Sequence, residues 1–337
     1  MTMSHLEGAR CIVTGGAGFI GSNLIPVLLA RAANVVAVDN LERGRLSFLD
    51  PVKERITFLQ RDLRDRTQCA DLFRDADVVF HLASKVGGIG YYVSRPHEVL
   101  FESCRIDAHV WEASLAGGVR RFLYASSAHV YPEHLQQSPD APAIEERQAF
   151  PANPALSYGW GKLTGEKLLL AAVDEGQPVR VSIPRIVGAY GRHQDIKLDT
   201  GSAIPVFVRR ALEYPKVPFL VWGTGRETRS YCFVGDVVEA MVRSVELLEE
   251  QKVVGPFNLG SASRVTIGEL AQQAVAVSGR DIPISFDSSK TTLLWGQACD
   301  CSLATQLLGG WTASTSLSVG MREVADDIRQ RLACGEE

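Results

Sequence analysis

The sequence has no apolar run near the roughly 18 residues that a membrane-spanning helix requires, so no membrane partner is expected. It also has no basic surplus. Thirty-five Lys and Arg stand against 39 Asp and Glu, a net charge of −4 that argues against a nucleic-acid partner. Metal-ligand spacing is missing too. The seven cysteines are scattered and odd in number, with Cys299 and Cys301 the one close pair, and they read as reduced packing thiols. The opening residues Met-Thr-Met-Ser-His-Leu-Glu-Gly lack the basic-then-apolar pattern of a signal peptide. No internal repeat or low-complexity tract interrupts the chain. These absences leave the expectation of a cytoplasmic globular protein, one large domain with a smaller lobe in 337 residues.

What the sequence does have begins at Thr14-Gly15-Gly16-Ala17-Gly18-Phe19-Ile20-Gly21. An apolar run from Ala9 to Val13 precedes these residues and reads as a buried strand; Phe19, Ile20, Leu24, Val27 and Leu28 follow at helical spacing. A glycine turn between strand and helix gathers backbone N–H groups and the positive end of a helix dipole at one point, which suits a pyrophosphate. The second strand, Asn34 to Val38, ends in Asp39, about twenty residues after the loop, where an acid binds a ribose 2′-hydroxyl. The combination predicts a dinucleotide site.

Further strands are expected at Ile56–Gln60, Asp77–Phe80, Arg121–Ala125 and Val179–Ile183, alternating with helices at about 96–116 and 158–173. That rhythm predicts an α/β fold with a doubly wound parallel sheet, whose strand C-termini would bring Asp39, Asp62, Ser84 and Ser127 to one crevice. After about residue 184 the rhythm breaks. Residues 1–184, with 233–257 returning to them, are expected to form the dinucleotide-binding domain; 185–232 and 258–337 form the substrate lobe. Helices are expected near 235–249, 267–277 and 317–332, and Glu133 to Pro154 reads as a long surface loop.

Tyr158-Gly-Trp-Gly-Lys162 places a tyrosine and a lysine four apart, on one face at the start of a helix. With the glycine loop, the acid-ended strand and the pair Ser126-Ser127 in order before it, the chain resembles the extended short-chain dehydrogenase/reductase family of nucleotide-sugar epimerases and dehydratases. The segments Ser84–Gly90, Ser126–Pro132 and Val221–Ser230 look most like its GDP-mannose 3,5-epimerase and GDP-L-fucose synthase groups.

That resemblance implies NAD as cofactor, held by Gly15, Gly18, Phe19, Ile20, Gly21, Asp39, Asn40, Asp62, Leu63, Leu82, Ala83, Ser84, Tyr158 and Lys162. Arg43 and Arg45, just past Asp39, are the cations that would instead admit a 2′-phosphate. In the family the tyrosine is the base, the lysine binds the nicotinamide ribose and lowers the tyrosine's pKa, and a serine, here Ser127, bonds the sugar oxygen. An ammonium beside a phenol of pKa near ~10 stabilises the phenolate. His129 stands where those two groups carry an acid/base cysteine, and their second acid/base position falls near Ser202 and Ala203, with Lys197 and His193 nearby.

The implied substrate-binding residues are Lys85, Gly87, Gly88, Ser126, Ser127, Arg185, Lys197 and Arg229, with Lys290 a further candidate. The implied reaction is epimerisation of a nucleotide sugar through a 4-keto sugar. C4 oxidoreduction, 4,6-dehydration and a non-catalytic NAD(P)-binding role are the alternatives. Family members pair as homodimers through two long helices, which here would be 96–116 and 158–173; Leu163, Leu168, Leu169, Leu170 and Val173 supply apolar surface for that contact.

Overall fold

Strand side chains alternate between the two faces of a sheet, and this chain fills both. Cys11 and Val13 enter one apolar layer and Ile12 the other; Val35 and Ala37 oppose Val36 and Val38, and Val78 and Phe80 oppose Val79. Runs apolar on both faces form parallel strands sandwiched between helices. The computed structural model describes residues 5–290 and 294–336.

In chain order the main elements are β1 (Arg10–Thr14), α1 (Phe19–Ala30), β2 (Asn34–Asp39), β3 (Thr57–Gln60), β4 (Val78–His81), α2 (Pro96–Ala116), β5 (Arg121–Tyr124), α3 (Ser157–Asp174), β6 (Arg180–Ile186), α4 (Ala203–Glu213), α5 (Val234–Glu246), β7 (Val253–Leu259), α6 (Ile267–Ser278) and α7 (Leu317–Ala333). The central sheet runs β3-β2-β1-β4-β5-β6-β7, with Ser126–Ser127 pairing beside β6. Every pairing along it is parallel. The α/β, doubly wound parallel sheet expected from the rhythm is the fold observed.

Helices α1 and α5 cover one face: Leu24, Ile25 and Leu28 meet Val237, Val238 and Met241 in a single buried cluster. Helices α2 and α3 cover the other, through Ile106, Val110, Leu169 and Val173. The helix expected near 235–249 thus does return to the sheet, and β7 adds a seventh parallel strand beyond it. A separate apolar cluster joins α4, α6 and α7 through Ile204, Phe207, Leu270 and Met321. Small sheets of two and three strands complete that lobe.

The segment 133–154 is the surface loop expected, with short 3-10 turns and many exposed residues. It is anchored at a few points: Gln136, Ile144 and Ala149 are buried, Ile144 bridges Cys299, and its carbonyl accepts a bond from the Asn258 side chain at 3.0 Å. These long-range ties run through the backbone of the segment, whose carbonyls at Pro139, Ala141 and Ile144 accept from the distant side chains of Thr228, Arg264 and Asn258. On α3, Leu163, Leu169 and Val173 are buried within the chain; the exposed apolar residues of the α2–α3 layer are Phe101, Trp160 and Leu168.

Candidate active site

One cavity of about 430 Å³ runs along the C-terminal ends of the strands. At its cofactor end the glycine loop leaves β1 and turns into α1. Gly15 holds φ +69°, and a Cβ there would lie 3.1 Å from the Ala83 nitrogen; a Cβ on Gly21 would run into the Gly15 carbonyl. The turn therefore needs glycine at both positions. No side chain caps α1, which leaves its first N–H groups to a ligand.

Asp39 ends β2 and is buried. Its carboxylate accepts from the Leu41 nitrogen at 2.8 Å and the Ala17 nitrogen at 3.1 Å, so the acid is locked to the glycine loop. Burial raises its pKa, while the N–H groups of Leu41, Ala17 and Asn40 oppose that shift. The two nearby cations are engaged elsewhere: Arg43 pairs with Asp195 at 2.8 Å and Arg45 with Glu336 at 3.0 Å. An uncapped helix start, a cradle that a Cβ would fill and a fixed carboxylate whose neighbouring arginines are already paired fit a dinucleotide bearing a plain ribose diol.

All fourteen residues expected around the cofactor line this one cavity: Gly15, Gly18, Phe19, Ile20, Gly21, Asp39, Asn40, Asp62, Leu63, Leu82, Ala83, Ser84, Tyr158 and Lys162. Ser126, Ser127, His129 and Lys85 line it as well. Sequence reasoning missed Tyr92, Arg64 and Gln194. Tyr92 alone carried a signal, since it sits one helical turn beyond the glycines of Ser84–Gly90.

Around Tyr158 the side chains pack as a cluster of rings. Tyr92 stacks on Tyr158 with centroids 4.9 Å apart and an angle of 10°; His129 meets Tyr158 edge-on at 5.8 Å and 75°. Burial drives the Tyr158 phenol well above its ordinary pKa, against a hydrogen bond from Ser127. The ammonium of Lys162 lies 5.9 Å from the Tyr158 ring centroid and 4.7 Å from that of Tyr124. Burial lowers the Lys162 pKa, so desolvation rather than the lysine's charge dominates the tyrosine here. His129 is pulled down to about 4 by burial and by the charge of Arg229, so it is neutral at pH 7.

Several expected substrate residues are placed otherwise. Arg185 is buried and points into the protein, where it grips Glu166 through two bonds of 2.9 and 2.7 Å and donates to the Glu146 carbonyl at 2.8 Å. It does not line the cavity; its charge is matched inside the fold. Lys197 is exposed and also lies outside the lining, as do Gly87 and Gly88, the latter abutting the Thr200 carbonyl. Arg229 donates to the carbonyls of Thr228 and Leu294 at 2.7 and 2.8 Å, bracing the small lobe. Lys290 lies over the Trp222 ring. Lys85 lines the cavity with its ammonium paired to Glu42 and Glu98.

A profile of the NAD dependent epimerase/dehydratase family matches residues 11–260. GDP-mannose 3,5-epimerase 1 of Oryza sativa subsp. indica is 31% identical over 317 residues, covering 94% of this chain and 80% of the relative. UDP-glucuronic acid decarboxylase 2 of Arabidopsis thaliana is 32% identical over 333 residues, 97% of this chain and 69% of the relative. Among solved structures, the UDP-glucose 4-epimerase of Thermus thermophilus, crystallised with NAD, shares the fold at a TM-score of 0.80 and 24% identity, over 95% of this chain and 99% of that one. The chain therefore belongs to the NAD dependent epimerase/dehydratase family, and NAD is its cofactor.

Proposed function

We propose that this protein is a nucleotide-sugar epimerase that works through a transient 4-keto sugar, with inversion at C4 the reaction its residues support best. The carrying observation is the sugar end of the cavity, where Tyr158 and Ser127 stand together and His129 is the one further expected acid/base group in the lining. Inversion at C3 or C5 needs an acid and a base on opposite faces of the ring. Lys197 and His193, the nearby candidates for the second group, both lie outside the lining. Inversion at C4 needs proton traffic only at O4.

NAD, when bound, supplies the acceptor for the C4 hydrogen and returns it. Ser127 holds O4 and Tyr158 takes its proton, so that the C4 alcohol becomes a ketone; the same phenol gives the proton back after the ketosugar has turned over. Lys162 stabilises the phenolate. Neutral His129 offers the ring a hydrogen-bond partner without placing a positive charge beside it.

A GDP-hexose is the first substrate to try, given the likeness to GDP-mannose 3,5-epimerase. The likeness to a UDP-glucuronic acid decarboxylase supports a second reading, because a 4-keto hexuronate is a β-keto acid and loses CO2 readily. A homodimer joined through Phe101, Trp160 and Leu168 of the exposed α2–α3 layer belongs to this proposal, and light scattering at micromolar concentration tests it. A panel of GDP- and UDP-hexoses and UDP-glucuronate, followed by NMR and mass spectrometry, tests the reaction. A C4 epimer is expected; CO2 and a pentose product would move the assignment to decarboxylation.

A further inference from the structure

Lys162 presents an electrostatic problem. An ammonium that is 2% exposed needs a counter-charge, and the carboxylate on its own helix is already committed. Glu166, one turn further along α3, is held by Arg185 through both its oxygens.

A second carboxylate lies across the Tyr124 ring. Asp107 comes from α2 and is buried, and two side chains of neighbouring strands bond to its carboxylate. Thr14 Oγ1 accepts from the Ala83 nitrogen at 3.2 Å and shares the Leu82 N–H, 3.1 Å away, with the Thr14 carbonyl. Its own hydrogen is directed to His81 Nδ1, 2.7 Å away. His81 therefore carries its proton on Nε2 and donates it to Asp107 Oδ1 at 3.0 Å, while the Tyr124 hydroxyl donates to Oδ2 at 2.6 Å. Both carboxylate oxygens thus accept from a neutral donor. Burial lowers the pKa of His81 and keeps it neutral, so the anion has no cation within its own network. The Lys162 ammonium sits 4.7 Å from the centroid of the same Tyr124 ring. Gly165 makes room for this arrangement, since a Cβ there would strike the Tyr124 hydroxyl and come within 2.9 Å of Asp107 Oδ2.

We propose that Asp107 is the buried counter-charge of Lys162 and, acting across Tyr124, a positioning residue that keeps this lysine protonated beside Tyr158. The proposal rests on the reading of Tyr158 and Lys162 given above. The groups facing Lys162 are Asp107 from α2, Tyr124 from β5, His81 from β4, and Tyr158 and Glu166 from its own helix, the last matched by Arg185 from β6. Of these, Asp107 and Glu166 raise the lysine's pKa against the burial that lowers it. The Asp107 charge also raises that of Tyr158.

The test is Asp107→Asn, which removes the charge and keeps the shape. Lysine Cε resonances are titrated by NMR, with Lys162 assigned by its loss in Lys162→Arg, and kcat/KM is measured against pH on the same protein. The Lys162 midpoint should fall, and both limbs of the pH profile should move to lower pH. At pH 9, kcat/KM should drop by about tenfold or more, since a buried opposite charge is worth one or more pH units. Tyr124→Phe, which removes a hydrogen bond and keeps the charge, should leave the midpoint near that of the parent. If Asp107→Asn does not fold, Asp107→Ser replaces it. An unchanged midpoint, or an equal fall in Tyr124→Phe, would overturn the counter-charge. A midpoint that falls while the pH profile stays put would instead overturn the catalytic reading of Lys162.

Discussion

The cofactor end and the sugar end of the cavity are held by different kinds of atom. At the cofactor end the contacts come from backbone: a glycine turn, the uncapped start of α1, and a carboxylate pinned by the nitrogens of Ala17 and Leu41. At the sugar end they come from side chains on separate segments, with Tyr92, His129 and Tyr158 packed ring on ring. A backbone site announces itself in sequence, because glycine spacing and a strand-ending acid follow from local geometry. A side-chain site depends on partners far away in the chain. Arg185 shows the consequence, since an arginine at the mouth of β6 reads as an anion ligand until Glu166 is seen beside it.

The largest expected effect bears on the sugar end. Tyr158→Phe should lower kcat/KM by up to about 10⁴, the loss typical of a proton-transfer group, while NAD binding measured by intrinsic fluorescence stays within a few-fold of the parent. Near-normal turnover would remove Tyr158 from the chemistry and leave the cofactor end as the one functional half.

Next comes the buried pair under the site. Glu166→Gln leaves the Arg185 charge uncompensated and should cost about 3–5 kcal/mol of stability, read from urea unfolding. Loss of turnover at full stability would return Arg185 to the substrate.

The contrast sharpens further at the ribose. Asp39 should favour NAD over NADP, with Arg43 and Arg45 already engaged by Asp195 and Glu336. Titration of both cofactors should show NAD binding tighter by at least about tenfold, an electrostatic difference of roughly 1.4 kcal/mol. Tighter NADP would mean that those arginines leave their partners. The smallest effect is expected for Lys197→Ala, which should change kcat/KM by less than about twofold, within the scatter of an exposed substitution.

Much of the fold was legible because its pattern is local. The strands from Arg10 to Ile186 alternate with helices and fill two apolar layers, so a parallel, doubly wound sheet followed from the rhythm. The same rhythm sends Asp39, Asp62, Ser84 and Ser127 to one crevice, and all four line the cavity. The tethers of the segment 133–154 were not legible, because they are backbone contacts of Ile144 with residues 258 and 299, more than a hundred positions on. Asp107 was also invisible in sequence. An acid in the middle of a helix looks solvated until His81 and Tyr124 close on it from two other strands.

The central claim is inversion at C4 with His129 a bystander in proton transfer. It is tested most directly by running the reaction in deuterated water with the parent protein and His129→Ala. The account predicts an epimerised product free of solvent deuterium on carbon, and turnover in the variant within a few-fold of the parent. Deuterium at C3 or C5, lost together with turnover in His129→Ala, would contradict it.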